Sequence, residues 1–84
     1  MDELIFLLRS KLKRAILEAL QEQALTPLML SKLLKRPLAS ISRSMLELNE
    51  VKFVHCLNPK DDRWRKYEVT SLGKKVLKEA RRFN

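Results

Sequence analysis

Arg43 is the one long cation on a helix face of short polar side chains. In KRPLASISRSML, residues 35–46, and the two residues beyond it, helical spacing sets Leu38, Ile41, Met45 and Leu48 on one face. Ser40, Arg43, Ser44 and Glu47 fall opposite. A solvated helix usually carries Glu, Lys and Gln on its outer face, because those residues favour helix. A face kept this low lets a partner come close, and offers it serine hydroxyls and a guanidinium able to donate two parallel hydrogen bonds. A second cluster lies in a polar turn, where Lys60, Arg63, Arg65 and Lys66 stand against Asp61 and Asp62. Its chemistry suits an anionic partner.

Other chemistry finds little material. His55 and Cys56 are the only histidine and cysteine. In a strand, adjacent residues point to opposite faces, so a metal would need the same pair from a second chain. No metal site is expected. Cys56 reads as a small core filler, since a redox switch needs an exposed thiol of lowered pKa. A single glycine rules out a Gly-rich phosphate loop, and no paired carboxylates sit in an apolar setting. Neither an enzyme nor a cofactor is expected, and no small-molecule ligand is evident.

Charge sharpens the picture. The chain of 84 residues has 18 Lys and Arg against 10 Asp and Glu, a net charge of +8. Residues 1–50 hold 8 basic and 6 acidic groups, and residues 51–84 hold 10 and 4. Such an excess favours polyanions such as nucleic acid or acidic lipid without implying sequence preference. The length fits one domain, and a domain this small buries roughly 60% of its unfolded surface, so it gains from oligomerising. The apolar run Leu4–Leu8 is far short of the roughly 20 residues that cross a bilayer. It follows two acidic residues and has no small-residue cleavage site after it, so a cytoplasmic protein without membrane contact is expected.

These side chains need elements to hold them. Apolar residues at three- and four-residue steps, among them Ile5, Leu8, Leu12, Ile16 and Leu20, predict helix from residue 3 to about 24. Ser10 could cap a second helix there, with a bend at Arg9-Ser10. Thr26-Pro27 is a helix start, and that helix should reach about Leu34. A turn at residues 35–37 leads to the helix of Arg43, ending near Asn49 or Glu50. Val51–Leu57 and Trp64–Val69 read as strands joined by the turn at 58–63. Tyr67 and Val69 should face the core. Thr70 or Ser71 can cap a last helix with Leu72, Val76, Leu77, Ala80 and Phe83 inward. The order predicts a mainly α protein with a small β-hairpin, an α+β winged helix-turn-helix with a three-helix core, wing and C-terminal helix.

The stretches TPLMLSKLLKRPLASISRSMLELNEVKFV (26–54) and DDRWRKYEVTSLGKKVL (61–77) resemble the small winged-helix transcription regulators of the ArsR and MarR type. The resemblance covers about residues 11–78. It implies one DNA-binding domain over 1–84, with an N-terminal helical extension at 1–10, helix-turn-helix at 26–50, wing at 51–69 and C-terminal helix at 71–83. The helix from Pro37 would be the recognition helix in the major groove, where Ala39, Ser40, Arg43 and Ser44 meet base edges or phosphates. A helix fits that groove only if its outer side chains are mostly short, and Arg43 is long enough to read a guanine edge. Arg36 at the turn, Thr26 at its helix start, and Lys60, Arg63 and Arg65 on the wing complete the expected DNA contacts. Ser42 sits near the core edge, Trp64 reads as a packing residue at the wing base, and Glu47 should be paired to a cation or lie beyond the groove.

The sequence departs from the family pattern where Lys35 replaces a turn glycine, where Pro37 replaces a Ser or Thr cap, and at apolar Leu46. Lys35 must then accept a strained conformation or the turn must differ. Leu46 hints at a contact outside the core. Family members usually dimerise through terminal helices, so Leu4, Phe6, Leu7 and Phe83 form the expected homodimer interface. The function implied is a sequence-specific regulator of transcription that binds duplex DNA, a repressor by occlusion. The rival readings are a winged-helix module for protein partners, using Leu46 and the terminal helices, and a non-specific architectural nucleic-acid binder.

Overall fold

The computed structural model describes residues 2–83. Its elements are α1 (Glu3–Leu8), α2 (Lys11–Glu22), α3 (Pro27–Leu34), α4 (Leu38–Glu50), β1 (Val54–Cys56), β2 (Tyr67–Val69) and α5 (Ser71–Ala80), with a 3₁₀ turn at Arg81–Phe83. Side-chain caps set the starts of α1, α2, α3 and α5, whereas α4 begins after Pro37 without one. Asp2 accepts from Leu4 N at 2.9 Å, Ser10 from Lys13 N at 3.1 Å, Thr26 from Met29 N at 3.1 Å and Thr70 from Gly73 N at 3.0 Å. Each such cap is worth about 1 kcal/mol. Ser10, in extended conformation, divides the first helical stretch in two, so the bend at Arg9-Ser10 is a true break.

Two helices end on lysines in the left-handed region. Lys35 has φ 55° and ψ 47°, and Lys52 has φ 63°. After α3, Arg36 N donates to Ser31 O at 3.1 Å, and the Ser31 hydroxyl donates to Arg36 O at 2.6 Å. After α4, Phe53 N donates to Leu48 O and Lys52 N to Asn49 O, the paired closure of a Schellman turn. That turn takes Val51–Phe53 out of the expected strand. The hairpin is accordingly shorter than its β-rich sequence suggested, pairing Val54 with Val69, His55 with Glu68 and Cys56 with Tyr67.

Leu7, Ile16, Leu17, Leu30, Ile41, Leu48, Phe53 and Leu77 are fully buried. Phe53 is the largest of them, and Phe6 meets it edge-on at 5.9 Å. Leu25 exchanges hydrogen bonds with Tyr67 at 2.9 and 3.1 Å, which pins the hairpin to the α2–α3 connection. Tyr67 and Val69 face inward. Arg81 clasps α2 through Glu18 and Gln21, at 2.8 Å to each.

Three expectations about facing are corrected. Leu7 is wholly enclosed by its own chain, and Leu4 and Phe6 are partly buried against the same core, whereas Ile5 turns outward. Leu7 therefore cannot serve a subunit contact. Leu38 is 45% exposed instead of packed, and Ser44 is only 7% exposed instead of outward. Along α5, Gly73 joins Val76, Leu77 and Ala80 inside, while Leu72 and, in the 3₁₀ turn, Phe83 are exposed.

Candidate nucleic-acid interface

The facing of α4 decides what it can touch. Ile41, Ser44, Met45 and Leu48 are buried, which leaves Ala39, Arg43 and Leu46 as an exposed ridge three and four residues apart, with Glu50 at its C-terminal end. Serine is small enough to enter the core boundary beside Ile41 and Met45. With Leu38 exposed and Ser44 buried, the outer face lies roughly one residue step around the axis from the expected one. Ser40 and Ser42 flank the ridge, half-buried. On one side lies a cleft of about 630 Å³ lined by Ser10, Leu12, Arg36, Ser40, Arg43 and Ser44. On the other lies a cleft of about 310 Å³, between Pro27, Leu28, Leu38, Ser42, Arg63 and Trp64. An exposed helix ridge thus stands between two clefts, each holding an arginine.

Thr26 is buried and its hydroxyl is occupied by Met29 N, so its side chain positions α3 and shows only an edge in the smaller cleft. Glu47 does not oppose the ridge charge. Its carboxylate pairs with Lys13 Nζ at 3.4 Å, and that ammonium also lies 4.8 Å above the Phe6 ring. Pairing to a cation is one of the two outcomes expected for Glu47.

The 57–66 loop is tied by two side chains that the sequence did not mark as important. Asn58 Oδ1 accepts from Lys66 N at 2.7 Å, and Asn58 Nδ2 donates to Trp64 O at 2.8 Å. Asp61 Oδ1 accepts from Arg63 N and Trp64 N, both at 2.9 Å. Those two backbone N–H groups hold the Asp61 carboxyl below the ordinary aspartate range, with a smaller contribution from the Arg65 charge. Arg65 is drawn back into the loop, donating Nε to Asp61 O at 3.0 Å and standing 3.7 Å from Asp62. Lys60 and Arg63 project from the loop's exposed surface. Trp64 is 57% exposed, so it is a wall of the smaller cleft and not the packed base residue expected. An Asx-type turn, Asp followed two and three residues later by its donors, is a signal that could have flagged Asp61.

The arrangement has known counterparts. No family model matches the sequence, and no curated protein does. Among solved structures, the transcriptional regulator BldR from Sulfolobus solfataricus matches with a TM-score of 0.78 and 27% identity, over 87% of this chain and 53% of that one. A MarR family transcription regulator matches with a TM-score of 0.77 and 26% identity, over 88% and 50%. The fold is that of the MarR-type winged-helix regulators. Lactococcus lactis ZitR, solved in complex with DNA, shares it with a TM-score of 0.73 at 24% identity, over 84% and 49%. The chain spans about half the length of these structures. In winged-helix terms, α3 and α4 correspond to the helix-turn-helix and the loop after β1 to the wing. The winged-helix core brings Arg36, Ala39 and Arg43 around one cleft and Arg63 into the other, on either side of one ridge.

His55 is exposed, and the half-buried Cys56 donates weakly to Asn58 Oδ1 at 3.8 Å. Among the described residues, no three potential metal ligands cluster. Among the described residues, no helix is long and apolar enough to cross a membrane.

Proposed function

We propose that this winged helix is the DNA-binding domain of a transcription regulator, with α4 in the major groove and the wing on the phosphate backbone. The single observation that carries the reading is the exposed Ala39-Arg43-Leu46 ridge with Arg36 and Arg63 in the clefts beside it. A helix entering the major groove meets base edges ahead and phosphates on both flanks, so it needs a slim ridge and cations at both sides. Arg43 is assigned to a base edge, and Arg36, Lys60 and Arg63 to phosphates. Ser40 borders the larger cleft and can donate to the backbone. Arg65 stabilises the wing that carries the others.

Repression by occlusion in the cytoplasm, as a homodimer, completes the proposal. Ile5 and Phe83 supply exposed apolar surface near the chain ends for a second copy. A two-fold dimer would set two recognition helices about 34 Å apart on a palindromic site. Selection of bound sequences from a random duplex pool tests the whole reading. Enrichment of an inverted repeat with half-sites one helical turn apart is the expected result, and an unenriched pool with no retention at low salt would refute it.

A further inference from the structure

Leu46 is the large apolar side chain of the outward ridge, 64% exposed and one turn beyond Arg43. No packing within its own chain accounts for it. Since arginines occupy the clefts on both sides of that ridge, the matching partner has negative walls and a middle that an apolar group can enter. We infer that Leu46 reads the C5-methyl group of a thymine. This rests on the major-groove assignment of α4 made above.

The physical case is one of elimination along the base edges. In the major groove the thymine methyl is the apolar group, and the remaining edge atoms are hydrogen-bond donors or acceptors. Against any of those, Leu46 would displace water without returning a hydrogen bond, which is unfavourable. Against the methyl, it buries apolar surface on both partners. Spacing then fixes where the thymine lies. Arg43 and Leu46 are three residues apart on one strip, about 4.5 Å along the axis, against a base-pair step of about 3.4 Å. The two side chains therefore address neighbouring base pairs, a guanine for Arg43 and a thymine beside it for Leu46. Glu47 is held to Lys13 on the flank, and the exposed carboxylate of Glu50 stands a full turn beyond Leu46, at the far end of the strip from Arg43.

The test replaces one methyl group. Duplexes enriched from the random pool are remade with deoxyuridine in place of the thymine next to the conserved guanine, and binding is measured for the natural chain and for Leu46→Ala. The natural chain should lose roughly fourfold in affinity per half-site, the worth of one buried methyl-sized group. Leu46→Ala should bind both duplexes equally, with unchanged melting temperature because the residue is exposed. Equal binding of both duplexes by the natural chain would overturn the inference and leave DNA binding intact. Loss of self-association on Leu46→Ala would also overturn it, since a second copy would then cover the residue. Failure of any duplex to enrich would remove both this inference and the function it rests on.

Discussion

Lys35 and Lys52 occupy backbone positions where glycine is the usual choice, while the chain's one glycine sits at neither. Gly73 lies where a Cβ would stand 2.3 Å from the Phe53 carbonyl oxygen and 2.8 Å from the Val69 side chain. That carbonyl accepts from Thr70 N at 2.9 Å, so it cannot move aside without breaking the bond that anchors Thr70, the cap of α5. Gly73→Ala gains about 1 kcal/mol of helix propensity but incurs overpacking of about 3 kcal/mol, so a net loss of about 2 kcal/mol is expected in denaturant unfolding. Lys35→Gly should act oppositely, relieving a left-handed backbone and raising stability by about 1 kcal/mol. A third residue, Asp61, makes the wing sensitive to acid. Its folded pKa lies below its unfolded value, so its contribution is complete above the ordinary aspartate range and lost as pH falls through the folded pKa. Trp64 fluorescence should therefore titrate with a midpoint below that of an exposed aspartate, and Asp61→Asn should abolish the transition.

At the scale of elements, legibility tracked how much phase information each stretch held. Thr26-Pro27 and Thr70 announced their helices because a cap followed by a helix start has one reading. In α1, by contrast, the run LIFLL is apolar at every position, so its periodicity cannot say which residue faces inward. The break at Ser10 sets that phase, and it turned Leu7 in and Ile5 out. The facing of α4 failed for a related reason. Leu38, in its first turn, borders the wing cleft, and serine's small size lets Ser44 be buried where a longer polar residue would not fit. The β-rich run Val51–Leu57 overstated the strand because helix closure requires its first three residues. Among candidate site residues, the exposure of Arg43 and Arg63 follows from length and charge alone, whereas Asn58 and Asp61 act through backbone bonds that composition does not reveal. The recognition helix and wing should separate in experiment. Arg43→Ala should cost about 1–3 kcal/mol on the preferred site and relax sequence preference at one position, measured by repeating the pool selection. A loss equal on all sequences would count against base readout by this residue.

For the whole molecule, net charge and symmetry make a joint prediction that neither makes alone. The +8 balance is spread widely, with Lys74, Lys75 and Lys78 exposed on α5 and Arg82 in the 3₁₀ turn, outside the helix-turn-helix, so total charge does not count phosphate contacts. Salt dependence does, because each neutralised phosphate contributes about −0.9 to the slope of log K against log salt. Lys60→Ala deletes one proposed phosphate contact per chain and no base contact, so affinity should fall alike on every sequence. The size of the slope change then counts chains on the DNA. A single chain predicts a change of about 0.9, and a two-fold dimer on a palindrome about 1.8. The larger value is expected here, because exposed Ile5 and Phe83 offer a second copy an apolar surface and a lone small domain is marginal. Adding Phe83→Asp to Lys60→Ala should bring the slope change back to about 0.9, with sedimentation showing a monomer. A change of about 0.9 in the dimer-competent protein would mean that only one wing reaches the backbone, and two-fold recognition would be abandoned.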